Sequence, residues 1–475
     1  MRLKRHVLVI TAFLLFISVT IMPVRAAVED MFEQKPAEDA VEPTPAVNEE
    51  AEPTPVVEEE IEQTPVEEEN KPPIIEVIYQ TVESKTITSG VMLDIINRFT
   101  EFGWQKIYVM KADLKDPYVH IDALASGETI QKPMTMTDHM LEWGAIAGVN
   151  GSFFLASEQP GNQNLIGPMI QSQDLKTADA SFNSTSDSMA TFAIDKDKKT
   201  IFSYWKTDIS LYAPNGEKIK VTRYNEPFWN YEDFTVIDRK WRTMSVGTQN
   251  GYYHDIIEMV VEDGLVKEIR QSMPSTEIPV NGYVVITRKA NGNRILDNFK
   301  VGDPVIFDIT TTPDWKELQM AVTGGAMLVV NGVIPETFSH TVNGRHPRTA
   351  VGSSKDGKTL FMVAVDGRQS HSIGMTMEEL AHFMREIGAY NALAMDGGGS
   401  TTLAAREPGT TNIVVQNSPS DGVQRRIPNG IGVFSLAPPS PLAGLYIETA
   451  DTNIFVNTTR SFTVKGYDQY FNPVM

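Results

Sequence analysis

Beyond about Ile74 the apolar positions recur mostly in short alternating or unbroken runs, the rhythm of strands, with a few stretches of helical period between them. Ile107 to Met110 and Val119 to Leu124 read as strands. Met136 to Ala147 reads as a helix beginning after Thr135. It runs into Val149-Asn150-Gly151-Ser152-Phe153-Phe154, a turn that sets Asn150 beside two aromatics. From Asp195 to Asp314 the pattern is mostly strand and turn, with strands at Ile256 to Val261 and Tyr283 to Thr287. Turn signals stand at Asn215-Gly216 and Asp263-Gly264.

The most informative pattern lies between Ala321 and Val433. Leu360 to Val365 is an unbroken apolar run, as in a strand buried on both faces. Asp366-Gly367-Arg368 follows at once. Thr376 then stands as a helix N-cap with Glu379 as its capping-box partner, and Leu380, Phe383, Met384 and Ile387 fall on one face before Gly388 ends the helix. Tyr390 to Met395 is the next strand, and Asp396-Gly397-Gly398-Gly399-Ser400-Thr401-Thr402 follows it. This β–α–β order predicts two parallel strands that carry Asp366 and Asp396 to one carboxyl edge, where open α/β sheets place their sites. The fold class it predicts is α+β (mixed α/β), a strand-rich domain whose β–α–β unit holds the site. Gly352 to Thr359 has the spelling of a phosphate-binding loop, but a strand follows it where a helix is required. It reads as a hairpin, and no nucleotide is expected as a ligand.

Charge is distributed unevenly. Of the formal −20, residues Glu29 to Glu69 carry −15, residues 1–28 carry +4 and residues 70–475 carry −9. Residues 1–26 read as a signal peptide: Arg2, Lys4 and Arg5 precede the apolar run Val7 to Met22, and Val24-Arg25-Ala26 suits cleavage. Residues 27–73 read as an acidic, proline-rich spacer with a ten-residue repeat, seen at Val41-Glu42-Pro43-Thr44-Pro45 and Ala51-Glu52-Pro53-Thr54-Pro55. The protein is therefore expected to be secreted or held in the cell envelope. Residues 74–437 form the main domain. Residues 438–475 read as a proline linker and the opening strands of an incomplete Ig-like module. An acidic chain is a poor partner for nucleic acid. The absence of cysteine removes disulfides, thiolate metal sites and cysteine nucleophiles. Oligomeric state is left open.

Three glycines after Asp396 suit a tight turn, but they also let backbone N–H groups approach an anion. Asp396 and Asp366 are the candidate catalytic carboxylates. Arg348, within Arg345-His346-Pro347-Arg348-Thr349, and Arg368 offer bidentate contacts to phosphate or carboxylate, and His346 lies between the two arginines of that first cluster. Arg368 could equally pair with Asp366. Thr323-Gly324-Gly325 is either a second glycine platform at the site or a place of close strand packing. His340 and His371 read as surface or hydrogen-bonding residues. The eight histidines show no metal-ligand spacing, so no cofactor is required by the sequence, although either acid could hold a divalent cation.

Asn150-Gly151-Ser152-Phe153-Phe154, Thr323-Gly324-Gly325, Arg345 to Gly352, Asp366-Gly367-Arg368 and Met395 to Thr402 together resemble the phosphodiester glycosidase family, over roughly Thr86 to Ser435. Ser152 stands where the family has glycine. The resemblance implies an enzyme that hydrolyses the glycosidic bond of a sugar-1-phosphodiester and leaves a phosphomonoester. It implies Asp396 first and Asp366 second as nucleophile or base. Arg348, Arg368 and the Gly397, Gly398 and Gly399 backbone, with Ser400 and Thr401 beside it, would stabilise the departing phosphate, while Asn150 and His346 would orient substrate. The expected partner is a phosphodiester-linked glycan or glycoconjugate of the cell wall. Two other readings compete with it: a non-catalytic cell-wall glycan-binding module, and a metal-dependent phosphodiesterase that cleaves P–O.

Overall fold

The computed structural model describes residues 75–155, 164–181, 189–226, 233–251, 253–449 and 453–474. The expected signal peptide and acidic spacer lie outside the described residues. All that is described belongs to one unit, Lys71–Met475.

That unit is mainly β, which corrects the α+β expectation. Thirty strands stand against three α-helices among the described residues: α1 (Met136–Trp143), α2 (Lys289–Leu296) and α3 (Met377–Glu386). The long stretch before Asp314 supplies much of a ten-stranded sheet, and α2, which its sequence did not announce, is the one α-helix inside that stretch among the described residues. Helix α1 begins at the expected Thr135 cap but stops at Gly144. Ala147–Asn150 is then already a strand.

The site-bearing sheet has seven strands, in the order Val77–Thr88, Val91–Thr100, Gly103–Asp113, Thr359–Val365, Arg348–Ser353, Asn391–Met395 and Met327–Val329. Thr359–Val365 and Asn391–Met395 do run in the same direction, because each is antiparallel to Arg348–Ser353. They are not neighbours, however. The strand expected only as half of a hairpin lies between them, so the β–α–β unit is split. The outcome for the site is favourable: Asp366 and Asp396 follow two strands at one edge, and Arg348 opens the intervening strand at that same edge. The Gly352 to Thr359 segment is the expected hairpin, with Ser353 opposite Leu360.

Helix α3 carries the chain across this sheet. Thr376 and Glu379 form a full capping box, of a kind worth about 1 kcal/mol. Leu380, Phe383 and Met384 are buried against Val363, Ala350 and Ala392, each contributing roughly 1.5–3 kcal/mol. The opposite face of the sheet shares a core with a five-stranded sheet that includes Ala147–Asn150, Leu403–Arg406 and Asn429–Ser435. Leu93, Met110 and Met362 meet Val149, Leu403 and Ile431 there. The far end of the chain forms a three-stranded sheet of Leu442–Glu448, Thr463–Asp468 and Pro473–Val474.

Candidate active site

Asp396 leaves its strand clamped on both sides. Its N–H donates to the Gly151 carbonyl at 3.1 Å. Its carbonyl accepts from Asn150 Nδ2 at 2.6 Å. Asn150 Oδ1 in turn accepts from the Thr349 hydroxyl at 2.8 Å and the Thr402 N–H at 3.1 Å. Asn150 is 1% exposed and fully engaged. It therefore sits behind the site and positions Asp396, instead of reaching toward substrate.

Gly398 to Ser400 form one 3-10 turn after Asp396. Gly398 has φ +60°, and a Cβ on Gly399 would lie 2.1 Å from Arg425 Nη2. A side chain at 399 would thus displace a cation from the site. The N–H of Gly398 donates to the Pro347 carbonyl and that of Gly397 to the Asp396 carboxylate. The glycines therefore shape the turn and admit Arg425. The expected backbone anion nest has at least two of its donors already spent.

The Asp396 carboxyl faces a cavity of about 200 Å³, lined also by Phe153, His340, His346, Arg348, Arg368 and Arg425. Asp396 is the sole acid among its described lining residues. Burial pushes its carboxyl up to about 6, against the opposing pull of the Ser400 hydroxyl, Arg425 and the Gly397 N–H. A carboxyl near 6 is ionised at neutral pH yet basic enough to accept a proton.

Each arginine is held differently. Arg348 is 5% exposed and donates to three carbonyls: Met375 at 2.9 Å, Val342 at 2.7 Å and Gly344 at 2.8 Å. Burial, then the nearby Arg368 charge, push its guanidinium down to about 10, so it remains a cation at neutral pH. Arg368 is exposed, takes φ +59°, and donates from Nε and Nη2 to His346 Nδ1, each at 3.2 Å. His346 Nε2 lies 2.7 Å from the Asn343 carbonyl. The ring is thereby held with its proton on Nε2 and its Nδ1 lone pair toward Arg368. Arg425 pairs with Asp421 at 2.8 Å. Neither Arg348 nor Arg368 has a carboxylate partner among the described residues. Two such cations beside one acid make a receptor for an anion.

Asp366 is placed elsewhere. It is 0% exposed and absent from the cavity lining. It does not pair with Arg368. Its Oδ1 accepts from the Ser418 N–H at 2.8 Å and Asn417 Nδ2 at 3.2 Å, and its Oδ2 lies 3.2 Å from His371 Nε2 and 3.4 Å from the Tyr108 hydroxyl. Asn417 also holds the Thr401 carbonyl at 3.1 Å, so Asp366 braces the turn from beneath. Thr401 and Ser400 are buried. Thr323 is buried too, bonded to Thr191 and the Pro168 carbonyl, and a Cβ on Gly324 would strike the Ala394 carbonyl. That pair is close strand packing. Gly325 lies under Phe153 and His340, two of the lining residues.

Sequence reasoning missed His340 and Arg425 as lining residues. His340 packs edge-on to Phe153 at 4.8 Å, and burial holds its imidazole below the usual value. Neither carries a local motif; each reaches the cavity on a loop distant in sequence from Asp396. Among the described residues no three His, Asp or Glu side chains cluster as a metal site.

Residues 255–434 match the family model described as phosphodiester glycosidase, in agreement with the resemblance carried by the motifs. The match takes in Asp396, Asp366 and the three lining arginines, but not Asn150. An N-acetylglucosamine-1-phosphodiester alpha-N-acetylglucosaminidase of Mus musculus is 36% identical over 88 residues, 18% of this chain and 16% of that protein. The SPbeta prophage-derived uncharacterized protein YomE of Bacillus subtilis (strain 168) is 37% identical over 86 residues, 18% of this chain and 12% of its own length. The matched stretches thus span less than a fifth of either relative. An exported-protein candidate from Burkholderia pseudomallei K96243 shares the fold, with a TM-score of 0.64 at 17% identity, over 76% of this chain and 97% of that one. Among the described residues no helix is long and apolar enough to cross a membrane.

Proposed function

We propose, starting from a chain whose residues 255–434 match the phosphodiester glycosidase family, that this protein hydrolyses the C1–O bond of a sugar-1-phosphodiester and leaves a phosphomonoester. The carrying observation is that Asp396 is the one carboxylate among the described lining residues of a cavity in which Arg348 and Arg368 have no acid partner among the described residues. Arg348 and Arg368 bind the phosphate oxygens, and His346 fixes the Arg368 fork. The C1–O bond breaks with its electron pair moving to the phosphate oxygen, where the arginines take up the growing charge. Asp396, ionised, serves the oxocarbenium-like C1 as nucleophile or as base toward water. Water supplies the new bond to C1, and its proton leaves through Asp396. Glycosidases ordinarily need a second carboxyl group to protonate the leaving oxygen. A phosphate departs as a stable anion and needs no such proton. One acid in the cavity therefore suffices, and Asp366 serves as a brace.

The substrate class that fits is a phosphodiester-linked glycan of the envelope. Export is supported by the basic and apolar start, Met1 to Ala26. The reading requires no cofactor, so a chelator should leave turnover unchanged; loss of turnover would instead assign a divalent cation to the site. Incubation with a UDP-sugar or a p-nitrophenyl-linked sugar phosphodiester tests the reaction. Free sugar plus phosphomonoester is the expected product, lost in Asp396→Asn; release of sugar phosphate would show P–O cleavage and overturn the reading.

A further inference from the structure

The seven-stranded sheet carries a second feature that the cavity chemistry leaves unused. Pairing of the strands Val77–Thr88, Val91–Thr100 and Gly103–Asp113 sets Tyr79 opposite Phe99 and Phe99 opposite Trp104. Directly opposed residues share a face, so three rings form one row across three strands. Phe99 and Trp104 are 4.9 Å apart between centroids, and Tyr79 meets Trp104 edge-on at 6.4 Å. Tyr79 and Trp104 remain 55% and 42% exposed. The next row on that face is polar: Thr81 opposite Asn97, and Asn97 opposite Lys106. Among the described residues the side chains of Asn97 and Lys106 have no hydrogen-bond or carboxylate partner; the Lys106 ammonium lies 5.8 Å from the Tyr108 ring. The other face of the same strands is already used, with Arg98 over Phe383 of α3 and bonded to Glu386.

We infer that this face is a binding platform for the polymeric part of an anionic glycan substrate, an inference that rests on the glycosidase reading above. A sugar ring has an apolar C–H face and a rim of hydroxyls. The aromatic row suits the first, and the Thr81, Asn97 and Lys106 row suits the second, with the Lys106 ammonium available to a chain phosphate. An apolar protein partner would instead desolvate that polar row without compensation. Position supports the same occupant. The strand bearing Trp104 and Lys106 is hydrogen-bonded to the segment that delivers Arg368 to the cavity: the Asp366 N–H donates to the Lys106 carbonyl at 3.0 Å and the Ile373 N–H to the Trp104 carbonyl at 2.8 Å. The strand that carries the rings thus adjoins the segment that bears Arg368, a lining residue of the cavity.

The test uses the full protein carrying Asp396→Asn, so that binding is read without turnover. Its retardation in native gels containing purified wall teichoic acid is compared with that in gels containing dextran, a neutral glycan. Retardation by teichoic acid is expected, weakened at least tenfold by Trp104→Ala and by Tyr79→Ala, two exposed sites whose variants should keep the parent melting temperature. Lys106→Gln should weaken teichoic acid binding and flatten its salt dependence. In the active protein, Trp104→Ala should raise KM for the polymer and leave kcat/KM for a small sugar phosphodiester within twofold. No retardation of the parent, retardation unchanged by both aromatic variants, or a dimer in sedimentation that Trp104→Ala dissociates would each overturn the platform. Retention of the polymer with no sugar released from any diester would instead sink the glycosidase reading and leave the platform standing.

Discussion

At the scale of the residue, Asp396 couples function to stability. Its carboxyl sits at about 6, above an ordinary value of 3.8, with burial as the main cause. The folded protein therefore holds that proton more tightly than the unfolded chain does. Stability from this group is fully present below about pH 3.8 and is lost as pH rises through about 6. At about 1.4 kcal/mol per unit, the cost of keeping it ionised is on the order of 2–3 kcal/mol. Asp396→Asn should thus abolish turnover while raising the melting temperature above pH 6, with the gain vanishing near pH 4. Parallel melting curves at pH 4 and pH 8 check this, and an unchanged difference between them would contradict the burial argument. Activity of the parent should rise through about pH 6 and then level off. The two arginines separate in the same way. Arg348→Met strips three carbonyls, that of the buried Met375 among them, of a charged donor, each such bond being worth roughly 1.5–3 kcal/mol, so both fold and activity should suffer. Arg368→Gln removes an exposed cation, and should cost activity on anionic diesters with little change in melting. Asp366, Asp396, Arg348 and Arg368 were legible because each belongs to a tight local motif, which Arg425 lacks. Their division of labour was not, since the partners of Asp366, namely Tyr108 and the adjacent Asn417 and Ser418, come from two segments distant in sequence.

At the scale of the element, α3 shows why the strand–helix–strand order was readable. Capping box, apolar face and glycine stop lie within thirteen residues of sequence, and each acts locally. Thr376→Ala should cost about 1 kcal/mol and lower the melting temperature by roughly 2–4 °C, with kcat unchanged. A thermal melt alongside a turnover assay separates that from a role at the site; loss of kcat at full stability would mean the helix start does more than hold the fold. The insertion of Arg348–Ser353 between the two parallel strands was not readable. Periodicity marks a strand but says nothing about its neighbours, and hairpin chemistry gave this strand only one of its two partners. Its second pairing, with Asn391–Met395, puts Arg348 at the same edge as Asp396.

At the scale of the whole molecule, the same limit produced the wrong fold class. The two helices with clear caps drew the reading toward α+β, while most of the strands lay in stretches with no chemistry to mark them. Their sheets close through contacts far apart in sequence, and no local signal reports those. The far C-terminal sheet follows this rule as well. Its composition suggests a module that merely begins after a proline linker, yet it is docked on the body. The Tyr470 carbonyl accepts from the Ser89 N–H at 3.0 Å and the Thr88 hydroxyl at 2.9 Å, and the Phe471 carbonyl accepts from Arg406 Nη2 at 3.0 Å. Arg406 is only 7% exposed, and burial holds its guanidinium below its ordinary value. Ending the chain at Ala437 would leave that buried cation with fewer acceptors, a loss of roughly 1.5–3 kcal/mol for one charged hydrogen bond. We expect the shortened protein to melt at least a few degrees lower while its kcat on a small sugar phosphodiester is retained, since nothing in the sheet lines the cavity. An unchanged melting temperature would show that the docking adds no stability. A fall in kcat at temperatures where the shortened chain is still folded would show that the sheet supports the site through Arg406 and the strand Leu403–Arg406, whose preceding turn ends at Thr401.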